Sequence, residues 1–228
     1  MKKFMFVTLA LILTLSAFSV RQVQAAPTGE VEFAAFKDAA PLDIGMFNLN
    51  ISQVNLFDWQ LLFYHALIYG LALSLVLTIL TVISGTIALD MFVDDYPPDI
   101  KQKYGPMSPR SARLRPYIAA LLFITLLAIP IMGLFALQAE MHAITFLPAL
   151  IFSATALLVF NIFDLLILDW LFFCTIQPRS MVLPGTEGMA GYRDYRFHFI
   201  GFLKGLGFTV GGSLLIAVFW TVIQWLIR

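Results

Sequence analysis

Asn161, Asp164 and Asp169 lie in a run, from Ile151 to Cys174, that is otherwise apolar enough to cross a bilayer. A carboxylate inside a membrane helix costs roughly 2.5–3.5 kcal/mol on insertion scales, so it normally faces a protein interior or a wet cavity. At about 100° per residue, Asp164 falls about 60° to one side of Asn161 and Asp169 about 80° to the other. The three side chains then share an arc of about 140° and about 12 Å of helix length. Such a group suits a polar pocket in which acids bind a cation, move a proton or orient a substrate group. The competing reading is structural. In it Asp164 is protonated or accepts hydrogen bonds from Ser and Thr of a neighbouring helix, and Asp169 pairs with Arg179 or Arg193 at the membrane surface.

Two polar stretches carry the remaining candidates. Asp90, Asp94, Asp95 and Asp99 crowd the first, beside the rigid Pro97-Pro98 unit. Hard cations such as Mg²⁺ and Ca²⁺ seek such oxygen ligands. The Asp/Asn and Gly spacing of a calcium loop is missing, however, so a solvated helix end is the better reading. The second stretch holds Glu187, Arg193, Asp194, Arg196 and His198. Its Pro184-Gly185-Thr186-Glu187-Gly188 lacks the Gly-Lys-Ser/Thr ending of a phosphate-binding loop. The alternation of Tyr192, Tyr195, Phe197 and Phe199 with polar residues suits a headgroup-level segment. In the functional alternative, Arg193, Asp194, Arg196 and His198 face the carboxylates of the 151–174 run, and His198 supplies an imidazole, a side chain suited to proton transfer. Elsewhere, His65, Glu140 and His142 compose a conceivable two-histidine, one-glutamate metal site. No complete catalytic or cofactor motif is present, and no cofactor is assigned.

The elements that must hold these residues follow from composition. The chain has 228 residues, 60% hydrophobic and 12% charged, against about 25% charged in soluble domains. Its apolar blocks reach the roughly 20 residues that a spanning helix needs. The expected fold is therefore all-α and integral to a membrane, with four transmembrane helices after an N-terminal signal peptide or an uncleaved leader helix. Lys2 and Lys3, the apolar Phe4–Val20 stretch and Val23-Gln24-Ala25 read as residues 1–25 of a signal peptide. Residues 26–60 form an external acidic segment. A four-helix membrane domain, 61–228, follows, with spans at about 61–89, 117–137, 146–174 and 202–227. The single cysteine, Cys174, offers neither an intramolecular disulfide nor a zinc site.

Basic residues sort the ends of the spans. Loop 90–116 carries Lys101, Lys103, Arg110, Arg113 and Arg115, and loop 175–201 carries Arg179, Arg193 and Arg196. The 138–145 turn has no Lys or Arg. The positive-inside rule makes the two basic loops cytoplasmic, with residues 26–60 and the C-terminus outside and the chain in the cell inner membrane. A signal peptide requires the same orientation. Gly201/Gly205 and Gly207/Gly211 form small-xxx-small pairs, and Gly70, Ser74 and Thr78 repeat at four-residue steps. These faces suit helix packing, or a membrane-protein partner or second copy. The lipid bilayer is the expected environment and nucleic acid is not an expected partner.

Three phrases carry a resemblance: Asp94-Asp95-Tyr96-Pro97-Pro98-Asp99-Ile100, Asn161-Ile162-Phe163-Asp164 through Asp169-Trp170, and Leu183-Pro184-Gly185-Thr186-Glu187-Gly188-Met189 followed by Tyr192-Arg193-Asp194-Tyr195. With them the chain resembles an uncharacterised family of small bacterial multi-pass membrane proteins, which implies a topology and no mechanism. Three functions remain open. The first is a site at the cytoplasmic mouth that handles an ion, a proton or a small solute, with Asp164 and Asp169 on the cargo and Asn161 orienting it. The second is an enzyme acting on lipid headgroups with His198 or the carboxylates as acid and base. The third is a non-catalytic assembly partner.

Overall fold

In a computed structural model of the chain, residues 58–141 and 143–227 are described. The leader and nearly all of the 26–60 segment lie outside the described residues, as does His142. Four helices are long and apolar enough to cross a membrane, and the described residues contain no strand. An all-α membrane architecture with four spans is therefore the fold of the described residues.

Helix α1 spans Trp59–Ile87. Asp58 starts it by accepting a hydrogen bond from the Leu61 N–H at 2.9 Å, which satisfies one of the free donors of a first turn. A 3-10 segment, Leu89–Asp95, leads to the short helix α2, Pro98–Tyr104. Proline suits the first turn of α2 because no helical N–H is needed there. Gly105 closes α2 at φ 93°, a region that favours glycine. Helix α3 runs unbroken from Pro109 to Met141, through both Pro116 and Pro130. Helix α4, Phe146–Phe163, continues without interruption as a π-helix over Asp164–Ile176. Gln177 ends it in the left-handed region at φ 51°, just before Pro178. A 3-10 turn, Ala190–Arg193, precedes helix α5, Tyr195–Leu226. Asp194 caps α5 by accepting from the Phe197 N–H at 2.9 Å.

The α3 and α5 helices begin well before the apolar spans that they contain, at 109 rather than 117 and at 195 rather than 202. Hydropathy registers only the lipid-buried part of a helix, and the polar turns that carry it out of the bilayer are invisible to it.

Helix α4 is central, with α1 and α5 packed on its flanks and α3 against α1. Small residues allow the close approaches. A Cβ on Gly70 would lie 2.8 Å from Val159 Cβ and 2.9 Å from the Ala156 carbonyl, and one on Gly133 would lie 2.6 Å from Phe152 Cζ. Of the expected Gly70, Ser74 and Thr78 face, Gly70 receives α4, and Ser74 turns its hydroxyl back to the Gly70 carbonyl at 2.8 Å. In α5, Gly205 meets Asn161 of α4, whereas Gly201, Gly207 and Gly211 face open space.

Two apolar cores result. The larger fills the bundle toward the 143–145 turn, around Leu62, Leu73, Leu134, Phe152, Ile216 and Trp220. The smaller lies at the opposite, loop-rich end, where Val93, Tyr96, Ile100, Phe173, Leu183 and Tyr192 bring the two long connections together. Tyr192 accepts from the Leu183 N–H at 2.9 Å and shares a 2.7 Å bond with Thr186. Tyr96 donates to the Met181 carbonyl at 3.0 Å. Burial, helped by Tyr192 and Asp95, pushes the Tyr96 hydroxyl above the ordinary phenol range, so it remains a donor. The loops thus form a folded cap on the bundle.

Candidate polar cavity

The change of helix type at Asp164 rearranges the polar residues. In a π-helix the hydrogen bonds run i→i+5. The Gln177 N–H accordingly reaches the Phe172 carbonyl at 2.8 Å, and the Thr175 hydroxyl reaches the Trp170 carbonyl at 2.7 Å. Five residues then make little more than one turn. Asp164 and Asp169, which a regular α-helix would splay by about 140°, come onto the same face. Segments of π-helix are rare and recur at functional sites.

That face lines a cavity of about 750 Å³ between α1, α4 and α5, beneath the cap. Asn161, Asp164, Asp169 and His198 line it, and Asp94 and Asp95 come in from the cap. Asn161 is buried, and its Nδ2 donates to the Phe202 carbonyl at 3.3 Å. Its Oδ1 lies so near Gly205 that a Cβ there would come within 2.5 Å. Asp169 pairs with His198, with Oδ1 and Nδ1 2.9 Å apart. This replaces the arginine partners, Arg179 or Arg193, that sequence offered for Asp169. His198 is only 6% exposed, its Nε2 has no partner among the described residues, and its ring sits 4.7 Å from that of Phe173. Asp164 accepts no hydrogen bond from any described residue. Its charged neighbours are Asp169 and His198.

The other candidates separate into distinct groups. Asp94 forms an ion pair with Arg115, while its backbone carbonyl accepts from Lys101 Nζ at 3.0 Å. Partial burial, and then the neighbouring Asp94 charge, hold the Asp95 carboxyl above the usual carboxylate range against the opposing pull of Arg115 and Lys101. Asp99 joins the two loops by accepting from the Gly191 N–H at 3.0 Å. Glu187 accepts from the Gly185 N–H at 3.1 Å within its own turn, and Asp194 is the α5 cap. Arg193 and Arg196 are exposed, and neither lines the cavity. Of the four residues expected to face the carboxylates, only His198 does so.

Some site residues carried no signal in the sequence. Lys101 and Lys204 line the cavity as its cations, and Thr81, Ser180 and Thr209 add hydroxyls. Their positions depend on how loops and helices meet, which residue type alone does not disclose. Asp90 is buried outside the cavity, where it accepts from the Ser111 hydroxyl and from the Ser108 N–H at 2.5 Å. Burial opposes its ionisation, and these hydrogen bonds outweigh that, so its carboxyl sits below the ordinary range. Asp90 thereby fastens the end of α1 to the start of α3.

At the opposite end, His65 Nε2 lies 3.1 Å from Glu140 Oε1, and the imidazole stacks on Tyr69. Two members of the imagined metal trio meet there, and the third, His142, lies outside the described residues. Among the described residues no group of three His, Cys, Asp or Glu is placed to hold a metal ion.

In comparisons with known proteins, no family model, no curated protein and no solved structure matches this chain.

Proposed function

We propose that this membrane protein binds a cation in exchange for a proton, in a polar cavity that opens to the cytoplasm. The observation that carries the reading is the Asp169–His198 pair. A carboxylate beside Nδ1 fixes that nitrogen as the N–H donor and leaves Nε2 as the basic nitrogen. Here that basic nitrogen is buried and lacks a partner among the described residues. Asp164, on the same face, has a carboxylate with no donor among those residues, and a charge at that depth needs a proton or a cation. Asp164 and Asp169 contact the cargo, and Asn161, held by the Phe202 carbonyl, orients it. The larger core closes the bundle beyond the cavity, so the reading is a binding site with one-sided access rather than an open pore.

The test uses the full chain purified in detergent in a weakly buffered neutral solution, with protons released from the protein followed by a pH-indicator dye after addition of Na⁺, K⁺ or ethylammonium. The wild type should release protons with at least one of these, and D169N should lose the response at unchanged protein level. Asparagine keeps an acceptor for His198 and removes the charge. An unchanged response in D169N, or no response to any of the three cations in the wild type, overturns the reading.

A second reading, acid–base chemistry on a lipid headgroup, is favoured by the same unpartnered Nε2. It predicts that H198Q changes the host lipid profile and that the wild type shows no cation-dependent proton release. An assembly role draws its support from Gly201, Gly207 and Gly211, which have no neighbour in the bundle.

A further inference from the structure

We infer that the cargo of this cavity is an amphiphile, a primary alkylammonium whose apolar part lies in the membrane, and that it enters sideways between α3 and α5. The inference rests on the cation-binding reading above and specifies the chemical class of the cation.

The cavity is lined by both polar and apolar residues. Asp164, Asp169 and His198 lie together, and Leu126, Leu157, Phe160 and Phe208, which also line it, stand farther from the cap along their helices. An inorganic cation has no use for the apolar residues. An alkyl chain gains roughly 0.8 kcal/mol for each methylene it buries away from water, and a chain already in lipid keeps its apolar surroundings there. The volume of about 750 Å³ lies within the about 300–1,000 Å³ typical of organic ligand sites and far exceeds what a bare ion needs.

The helix arrangement supplies the entrance. The hydrogen bonds and the ring contact between α3 and α5 lie at the far end of the bundle. Gln138 and Gln224 exchange bonds of 3.0 and 2.7 Å there, and the Phe135 and Trp220 rings are 4.9 Å apart. Around the cavity itself, Leu126 of α3 is half-buried and Phe208 of α5 is 82% exposed. The apolar wall is therefore continuous with the lipid-facing surface of α5.

The polar region fits an ammonium with N–H donors. Asp164 has no donor among the described residues. A primary ammonium offers three N–H groups, enough for both carboxylates and the free His198 nitrogen. Lys204, exposed on the α5 wall, would suit a phosphate in the same molecule. Two sources present this chemistry: an aminophospholipid of the bilayer and a free lipophilic amine.

Native mass spectrometry of the full chain, purified in detergent, distinguishes them. The protein is offered phosphatidylethanolamine, phosphatidylglycerol and dodecylamine in turn, and retained ligand is counted. Preferential retention of phosphatidylethanolamine over phosphatidylglycerol supports the inference with a lipid source. Retention of dodecylamine alone supports it with a free amine. Equal or greater retention of phosphatidylglycerol overturns the ammonium assignment, and no retention of any of the three overturns the amphiphile. In the first two cases L126W, which fills the apolar region, should cut retention at least tenfold. D164N should abolish the preference for the amine. Thermal unfolding of each variant near the wild-type temperature shows that the site and not the fold was lost, and retention unchanged in L126W also overturns the inference. Failure here with intact cation-dependent proton release leaves the proposed function standing. Retained amine in a protein that releases no protons removes the proton exchange and keeps the site.

Discussion

At the scale of single residues, each carboxylate is governed by its nearest donors. Asp169 has a histidine, Asp94 an arginine, Asp99 a backbone N–H, and Asp164 no donor among the described residues. Sequence singled out Asp164 and Asp169 because acids in an apolar run are conspicuous. It did not pair Asp169 with His198, which lies on a different helix. Asp90 yields a test of the same logic outside the membrane. Its folded carboxyl is depressed below the unfolded value by the Ser111 and Ser108 hydrogen bonds. A depressed acid stabilises the fold at pH values above its unfolded pKa of about 3.9, and that contribution is lost as pH falls through the folded value. S111A should therefore unfold more easily at neutral pH, by about 1.5–3 kcal/mol for a hydrogen bond to a charged group. The gap from wild type should narrow as pH falls below about 4. Denaturant unfolding at pH 7 and pH 3.5 measures both, and a gap that widens in acid contradicts the assignment.

At the scale of elements, close packing and the π-helix decide where the polar face points. Four apolar blocks were legible because lipid imposes length and hydropathy together. The π-helix was not, since apart from Asp164, Asp169 and Thr175 the run from Asp164 to Ile176 is apolar, and it has no hydrophobic period from which its hydrogen-bond register could be read. Nor could spacing tell which glycines pack. The pairs Gly201/Gly205 and Gly207/Gly211 look alike in sequence, yet only Gly205 stands against α4. G205A places a methyl 2.5 Å from Asn161 Oδ1, so α5 or Asn161 must move. Overpacking of this kind typically costs about 1–3 kcal/mol. G205A should lower the unfolding temperature and disturb the cavity together, whereas G207A, with nothing within 4 Å, should leave both near wild type. Equal destabilisation by the two variants would show that α5 is rotated from the orientation described. If G207A instead dissociates a dimer without destabilising the monomer, the open glycine face is an interface between copies.

At the scale of the whole molecule, the direction in which the cavity faces decides which compartment supplies its protons. All the basic residues of the two long connections lie at the capped end, with Lys101 in the wall of the cavity, while the 143–145 turn has none. Positive charge near the ends of spans is retained on the cytoplasmic side, so the cap and the cavity should be cytoplasmic. Cys174, the single native thiol, is buried at 2% exposure and leaves a quiet background for labelling. Single cysteines in place of the exposed residues Lys103 and Arg193 should resist a membrane-impermeant maleimide in intact cells and react once the membrane is opened. A cysteine at Thr145, exposed in the short turn, should react in intact cells. The reverse pattern places the Asp169–His198 pair toward the outside. The proposed site would then exchange its proton and its cation with that compartment.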